Sequence, residues 1–97
     1  MSKVYLLVYS NLAGSREQVK KAINDSGIIR TWRYDMPNSF YLVSESSAEK
    51  ITDALHRQLG KRARFIVSEI TENRQGWLPK DTWYFIREKR PRRNETG

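Results

Sequence analysis

Residues 3–9, Lys3-Val4-Tyr5-Leu6-Leu7-Val8-Tyr9, decide the fold of this chain. The run is β-branched and aromatic, and its apolar side chains fall on both faces instead of alternating with polar ones. A strand with two apolar faces needs cover on both. The chain has 97 residues, enough for one domain with one principal core. Its own helices can cover one face of this strand. Little chain is left for the other face, so the sequence predicts that a second copy of the molecule covers it.

Outward from that strand, Ser15-Arg16-Glu17-Gln18 reads as a capping box. Val19, Ala22 and Ile23 follow at helical spacing, and Gly27 stands where a left-handed stop is wanted, which predicts a helix over residues 16–25. Residues 28–35 (IIRTWRYD) read as a second strand, Met36-Pro37-Asn38-Ser39 as a tight turn, and residues 40–44 (FYLVS) as a third strand. Ser46-Ser47-Ala48-Glu49 is a second capping box. It opens a helix with Ile51, Ala54, Leu55 and Leu59 on one side and Gly60 as its stop. After Lys61-Arg62, residues 63–70 (ARFIVSEI) form a fourth strand.

The order strand, helix, strand, strand, helix, strand fits few right-handed arrangements. It predicts an α+β, ferredoxin-like βαββαβ fold: a four-stranded antiparallel sheet with two helices on one face. Residues 71–86 exceed that plan. Trp77, Leu78, Trp83 and Ile86 are too apolar for a free tail, and Pro79 suits a first helical turn. The segment reads as a short helix over residues 79–87 or as an extra strand through residues 82–86 (TWYFI). One domain is expected over residues 1–86, followed by a basic, flexible tail over residues 87–97.

Charge narrows the function. Lys and Arg number 18 against 11 Asp and Glu, a formal charge of +7, and the tail alone carries five basic and two acidic residues. Such a chain attracts polyphosphate. It has no cysteine, which excludes disulfides, thiolate metal sites and thiol catalysis, and its one histidine excludes a His-pair metal site. No apolar run approaches the ~20 residues of a membrane-spanning helix. Met1-Ser2-Lys3-Val4 leads into a strand without a basic-then-apolar leader, so a cytoplasmic location is expected.

The candidate residues follow from these features. Arg30, Arg33, Lys61, Arg62, Arg64, Arg87, Lys89, Arg90, Arg92 and Arg93 are the candidate phosphate contacts, with Lys20 and Lys21 on the first helix. Asp25, Asp53 and Asp81 read as helix-end, helix-surface and first-turn residues, whereas Asp35 ends a strand and is the one acid to test as a metal ligand. His56 reads as a partly exposed helix residue, and Ser10 as a strand-end hydroxyl bonded to the backbone. Val8-Tyr9-Ser10-Asn11-Leu12 faintly resembles the shorter motif of the RNA-recognition module. The ring stands one residue late, however, which turns it to the other sheet face, so Tyr5, Tyr9, Phe40 and Tyr41 read as core or dimer contacts.

The succession VYLLVYSNL, WRYDMPNSFYLVSESSAEKITDAL, RFIVSEI and GWLPKDTWYFI resembles the SinR-like proteins over residues 3–86. These stand with VapD and the CRISPR-associated adaptation nuclease, the second Cas protein, in one ferredoxin-like superfamily. The resemblance implies a homodimer with sheets packed face to face. It also implies a divalent-metal site built on an Asp at the end of the first strand. That position here is Ser10, followed by Asn11, and a neutral hydroxyl is a poor Mg²⁺ ligand beside a carboxylate. The expectation is therefore a small basic homodimeric nucleic-acid-associated protein that binds duplex DNA or structured RNA, without catalysis or cofactor. The alternatives are a weak divalent-metal-dependent nuclease of DNA or RNA, with Mg²⁺ as cofactor and using Asp35 or a backbone-positioned ion, and a protein-binding module that docks an acidic partner.

Overall fold

The computed structural model describes residues 1–92 of the chain. Its elements in order are β1 (Lys3–Tyr9), a 3-10 turn (Asn11–Ala13), α1 (Arg16–Asp25), β2 (Thr31–Arg33), β3 (Ser39–Ser44), α2 (Ala48–Leu59), β4 (Phe65–Glu69) and α3 (Lys80–Glu88). The sheet runs β2-β3-β1-β4 with every neighbouring pair antiparallel. β1 and β3 are central, as a split βαβ requires.

The capping signals place the helices. The Ser15 hydroxyl accepts from the Gln18 amide at 3.2 Å and the Gln18 side chain accepts from the Ser15 amide at 2.8 Å, so the first box is complete. The second box is shifted by one residue. Ser47 is the cap and accepts from the Lys50 amide at 3.2 Å, and with Lys50 at the third helical position there is no side-chain acceptor to reciprocate. The second strand is also shorter than expected at both ends, Thr31–Arg33, although the Arg30 amide still donates to the Val43 carbonyl at 2.8 Å. Of the two readings of the GWLPKDTWYFI segment, the helix is the one formed.

Register sorts the two faces. Tyr5, Leu7 and Tyr9 of β1 stand opposite Leu42 and Phe40 of β3 and opposite Val67 and Phe65 of β4. With Val19, Ala22, Ile23, Ile51 and Leu55 they form the main core under α1 and α2. Val4, Tyr41 and Val43 point the other way and pack on Phe85 and Ile86 of α3, with Leu6, Ile70, Leu78 and Trp83 around them. Burying Phe85 and Ile86 contributes about 1.5–3 kcal/mol each.

This second cluster corrects the inference drawn from β1. Both faces of the strand are apolar, but the chain roofs the second face itself, with α3, over its β3 half. The short helix was enough because a few large side chains cover two strands. A second copy is therefore not needed to bury Val4, Tyr41 and Val43. What stays uncovered on that face is the β1–β4 half, where the paired residues Val8 and Ile66 are 42% and 63% exposed. Met36 and Trp77 are exposed as well.

The tail boundary expected at residue 87 falls inside α3, which runs to Glu88 and ends on Lys89 with φ of +59°, a left-handed stop. Beyond it the Arg92 guanidinium donates to Asp81 at 2.6 Å. The rest of the expected tail, including Arg93, lies outside the described residues.

Candidate nucleic-acid interface

The acidic candidate is occupied internally. Asp35 follows β2, and one of its oxygens accepts from the Thr82 hydroxyl of α3 at 2.5 Å. The other accepts from the Tyr41 hydroxyl of β3 at 3.1 Å. Thr82 in turn accepts from the Arg33 Nε at 2.8 Å, and Thr82 is fully buried. The chain Arg33 to Thr82 to Asp35, joined by Tyr41, fastens α3 to the sheet. Burial, the Asp35 charge and the hydrogen bond to it push the Tyr41 phenol well above its ordinary range, with Arg33 opposing. Asp35 thus serves as an acceptor between sheet and helix, a use of a strand-end carboxylate that the sequence reading did not anticipate.

The other chemical candidates stand apart from one another. The Ser10 amide donates to the Arg64 carbonyl at 2.9 Å, but its hydroxyl, expected to bond the backbone, is buried without a hydrogen-bond partner. His56 and Asp53 are exposed on α2. Asp25 pairs with Lys21 at 2.6 Å. Among the described residues, no group of three or more His, Cys, Asp or Glu side chains is placed to hold a metal ion.

The basic candidates divide into three groups. Arg33 is spent on Thr82, Arg30 pairs with Glu45 at 2.8 Å, and Lys20 pairs with Glu17 at 3.0 Å. Lys61, Arg62 and Arg64 are exposed on the connection from α2 into β4. The third group is a cluster. Arg87, Arg90 and Arg92 bring their guanidinium carbons to 5.5, 5.4 and 5.8 Å from the centre of the Tyr84 ring. Lys80, Trp83, Tyr84, Arg87 and Arg92 line a surface cavity of about 370 Å³. Residues 80–92 hold five basic side chains against Asp81 and Glu88.

Helical geometry makes this cluster. Lys80, Tyr84 and Arg87 follow at i, i+4 and i+7, one stripe on the side of α3 away from Phe85 and Ile86. The left-handed Lys89 then turns the chain back, so that Arg90 and Arg92 return to the same ring. The field is felt locally. The hydrogen bond from Arg87, with the charges of Arg87, Arg90 and Lys89 behind it, holds the Glu88 carboxyl below its ordinary value. Sequence reading found the arginines but missed Lys80 and Tyr84. Their spacing from Arg87 was the available signal once a helix was chosen over a strand.

Comparison with protein-family models, with curated proteins and with solved structures finds no match to this chain. Among the described residues no helix is long and apolar enough to cross a membrane.

Proposed function

We propose that this chain is a small, basic, cytoplasmic, nucleic-acid-associated protein of the SinR-like group that works as a homodimer and binds without catalysis. The observation that carries the reading is the gathering of Lys80, Arg87, Lys89, Arg90 and Arg92 along α3 and the turn that follows it. Cations gathered along one short segment release counterions when they meet phosphates, and they read little sequence. The carboxylate available for metal chemistry, Asp35, is meanwhile engaged by Thr82 and Tyr41. The exposed pair Val8 and Ile66, facing each other across β1 and β4, supports the homodimer. These are apolar side chains on a sheet face, and a second copy would remove them from water and double the +7 charge.

Gel-shift titrations at rising salt test the binding. With five phosphate contacts, affinity should fall roughly 500-fold between about 50 and 200 mM salt. Arg87→Glu with Arg90→Glu should weaken binding at every salt concentration and flatten the slope. Affinity that does not respond to salt contradicts the proposal, as does cleavage that requires Mg²⁺ and is lost in EDTA. For the homodimer, Ile66→Lys should convert a dimeric mass in sedimentation to a monomeric one while leaving the circular dichroism unchanged. A wild-type monomer at all concentrations sinks that part of the reading.

A further inference from the structure

We infer that the Tyr84 cluster holds an unpaired nucleobase, stacked on the Tyr84 ring, with the adjoining phosphates on Arg87, Arg90 and Lys80. This rests on the nucleic-acid reading above and narrows it to substrates with unstacked bases: single strands, loops or flaps. Uninterrupted duplex is the poorer ligand.

Three observations carry the inference. First, three guanidiniums surround one neutral ring within 6 Å of its centre, while the carboxylates near them, Asp81 and Glu88, are bonded to Arg92 and Arg87. Arg90 lies 5.4 Å from the ring centre and acts on Glu88 through its charge. Like charges gathered this closely repel, and an anion between them relieves the repulsion. Second, the ring borders an open surface depression of about 370 Å³ with Trp83 on its wall. The outside of a duplex would use the charges and leave ring and cavity idle. An unpaired base uses both, since stacking on an aromatic face is indifferent to base identity. Third, the molecule's other aromatic and cation grouping is closed. Arg16 already lies on the Tyr34 ring at 4.2 Å, and Trp32 packs edge-on to Phe40 at 5.6 Å and donates to Asn24 at 2.8 Å. Tyr84 instead keeps its guanidiniums at 5.4 Å or more and borders a surface depression.

The test titrates full-length protein with a fluorescent oligothymidine and, separately, with a blunt duplex of the same length, both at low salt. Tryptophan fluorescence in a Trp32→Phe, Trp77→Phe background, where Trp83 is the remaining emitter, serves as a second readout. The expected result is a preference for the single strand, quenching of Trp83 by the single strand, and a loss of roughly tenfold or more in single-strand affinity for Tyr84→Leu. Tyr84→Leu keeps an apolar side chain against α3 but removes the π face. Tyr84→Phe restores the affinity, and duplex affinity changes less than about twofold in either variant, because phosphate contacts remain. If both ligands bind but Tyr84→Leu leaves the single-strand affinity unchanged, or duplex binds better, the stacking site is wrong and the basic-surface reading stands. If neither ligand binds, both fail. Circular dichroism of each variant guards against loss of fold, and a misfolded Leu variant leaves the wild-type preference and the Trp83 quench to decide.

Discussion

Replacing Asp35 by alanine separates its two possible roles. A catalytic carboxylate can be removed with little change in stability, whereas a carboxylate that fastens a helix cannot. In the native molecule Asp35 accepts from Thr82 at 2.5 Å and from Tyr41 at 3.1 Å. The two donors are 0% and 2% exposed. Asp35→Ala leaves both hydroxyls without their acceptor. Hydrogen bonds to a charged group are worth about 1.5–3 kcal/mol each, and the lower end applies because Asp35 itself is half-exposed and water can reach part of the gap. The sum is about 3 kcal/mol. For a domain of this size each kcal/mol moves the midpoint by about 4–8 °C, so Asp35→Ala should melt about 12–24 °C below the parent. Asp35→Asn should lose about half as much, because the amide oxygen serves one hydroxyl while the amide nitrogen confronts the other. Thr82→Val in the Asp35→Ala background should cost little more, a coupling of about 1 kcal/mol or above in a double-mutant cycle. Thermal unfolding followed by circular dichroism, with urea titration alongside, measures all three. A melting point for Asp35→Ala within about 3 °C of the parent would refute the assignment of Asp35 as the fastening between sheet and α3.

Ser15→Ala removes the acceptor for the Gln18 amide and should cost about 1 kcal/mol, read as a fall of about 4–8 °C in melting point; Ser15→Gly should recover most of it. Tyr5 and Tyr41 both have phenols raised above their ordinary range, Tyr41 by burial and Asp35, Tyr5 by burial and the Glu69 charge. A raised phenol adds stability that is whole below the unfolded value of about 10 and is lost as pH climbs toward the folded value. Stability should therefore fall above about pH 10, and the phenolate absorbance of Tyr5 and Tyr41, taken as the difference between the parent and the Tyr5→Phe and Tyr41→Phe variants, should rise only on unfolding. Ionisation of Tyr5 or Tyr41 near pH 10 in folded protein would contradict this.

Much of the fold was legible because the signals for it are local. The Ser15 box, the left-handed Gly27 and Gly60 and the apolar spacing of α1 and α2 each act within a few residues, and they fixed α1 to the residue. Val4 and Leu6 were correctly seen to demand cover, whereas Val8 stays exposed. What covers them was not legible, because that depends on where the chain after β4 returns, and nothing local in residues 71–79 states a direction. The same non-locality hid the site. Asp35 and Thr82 are 47 residues apart, so a strand-end acid looked free for chemistry when its partners were still unplaced. The arginines were visible as charge, but their convergence on Tyr84 needed both the helical period of α3 and the left-handed turn at Lys89.

The order of the elements has a consequence for biosynthesis. β1 and β3 leave the ribosome long before the helix that roofs their second face. Until α3 emerges and docks, Val4, Tyr41 and Val43 present a greasy strip on a nascent sheet already closed on its other side by α1 and α2. Translation that stalls before Phe85 would strand the chain in that half-covered condition, where chaperones and sticky neighbours compete for it.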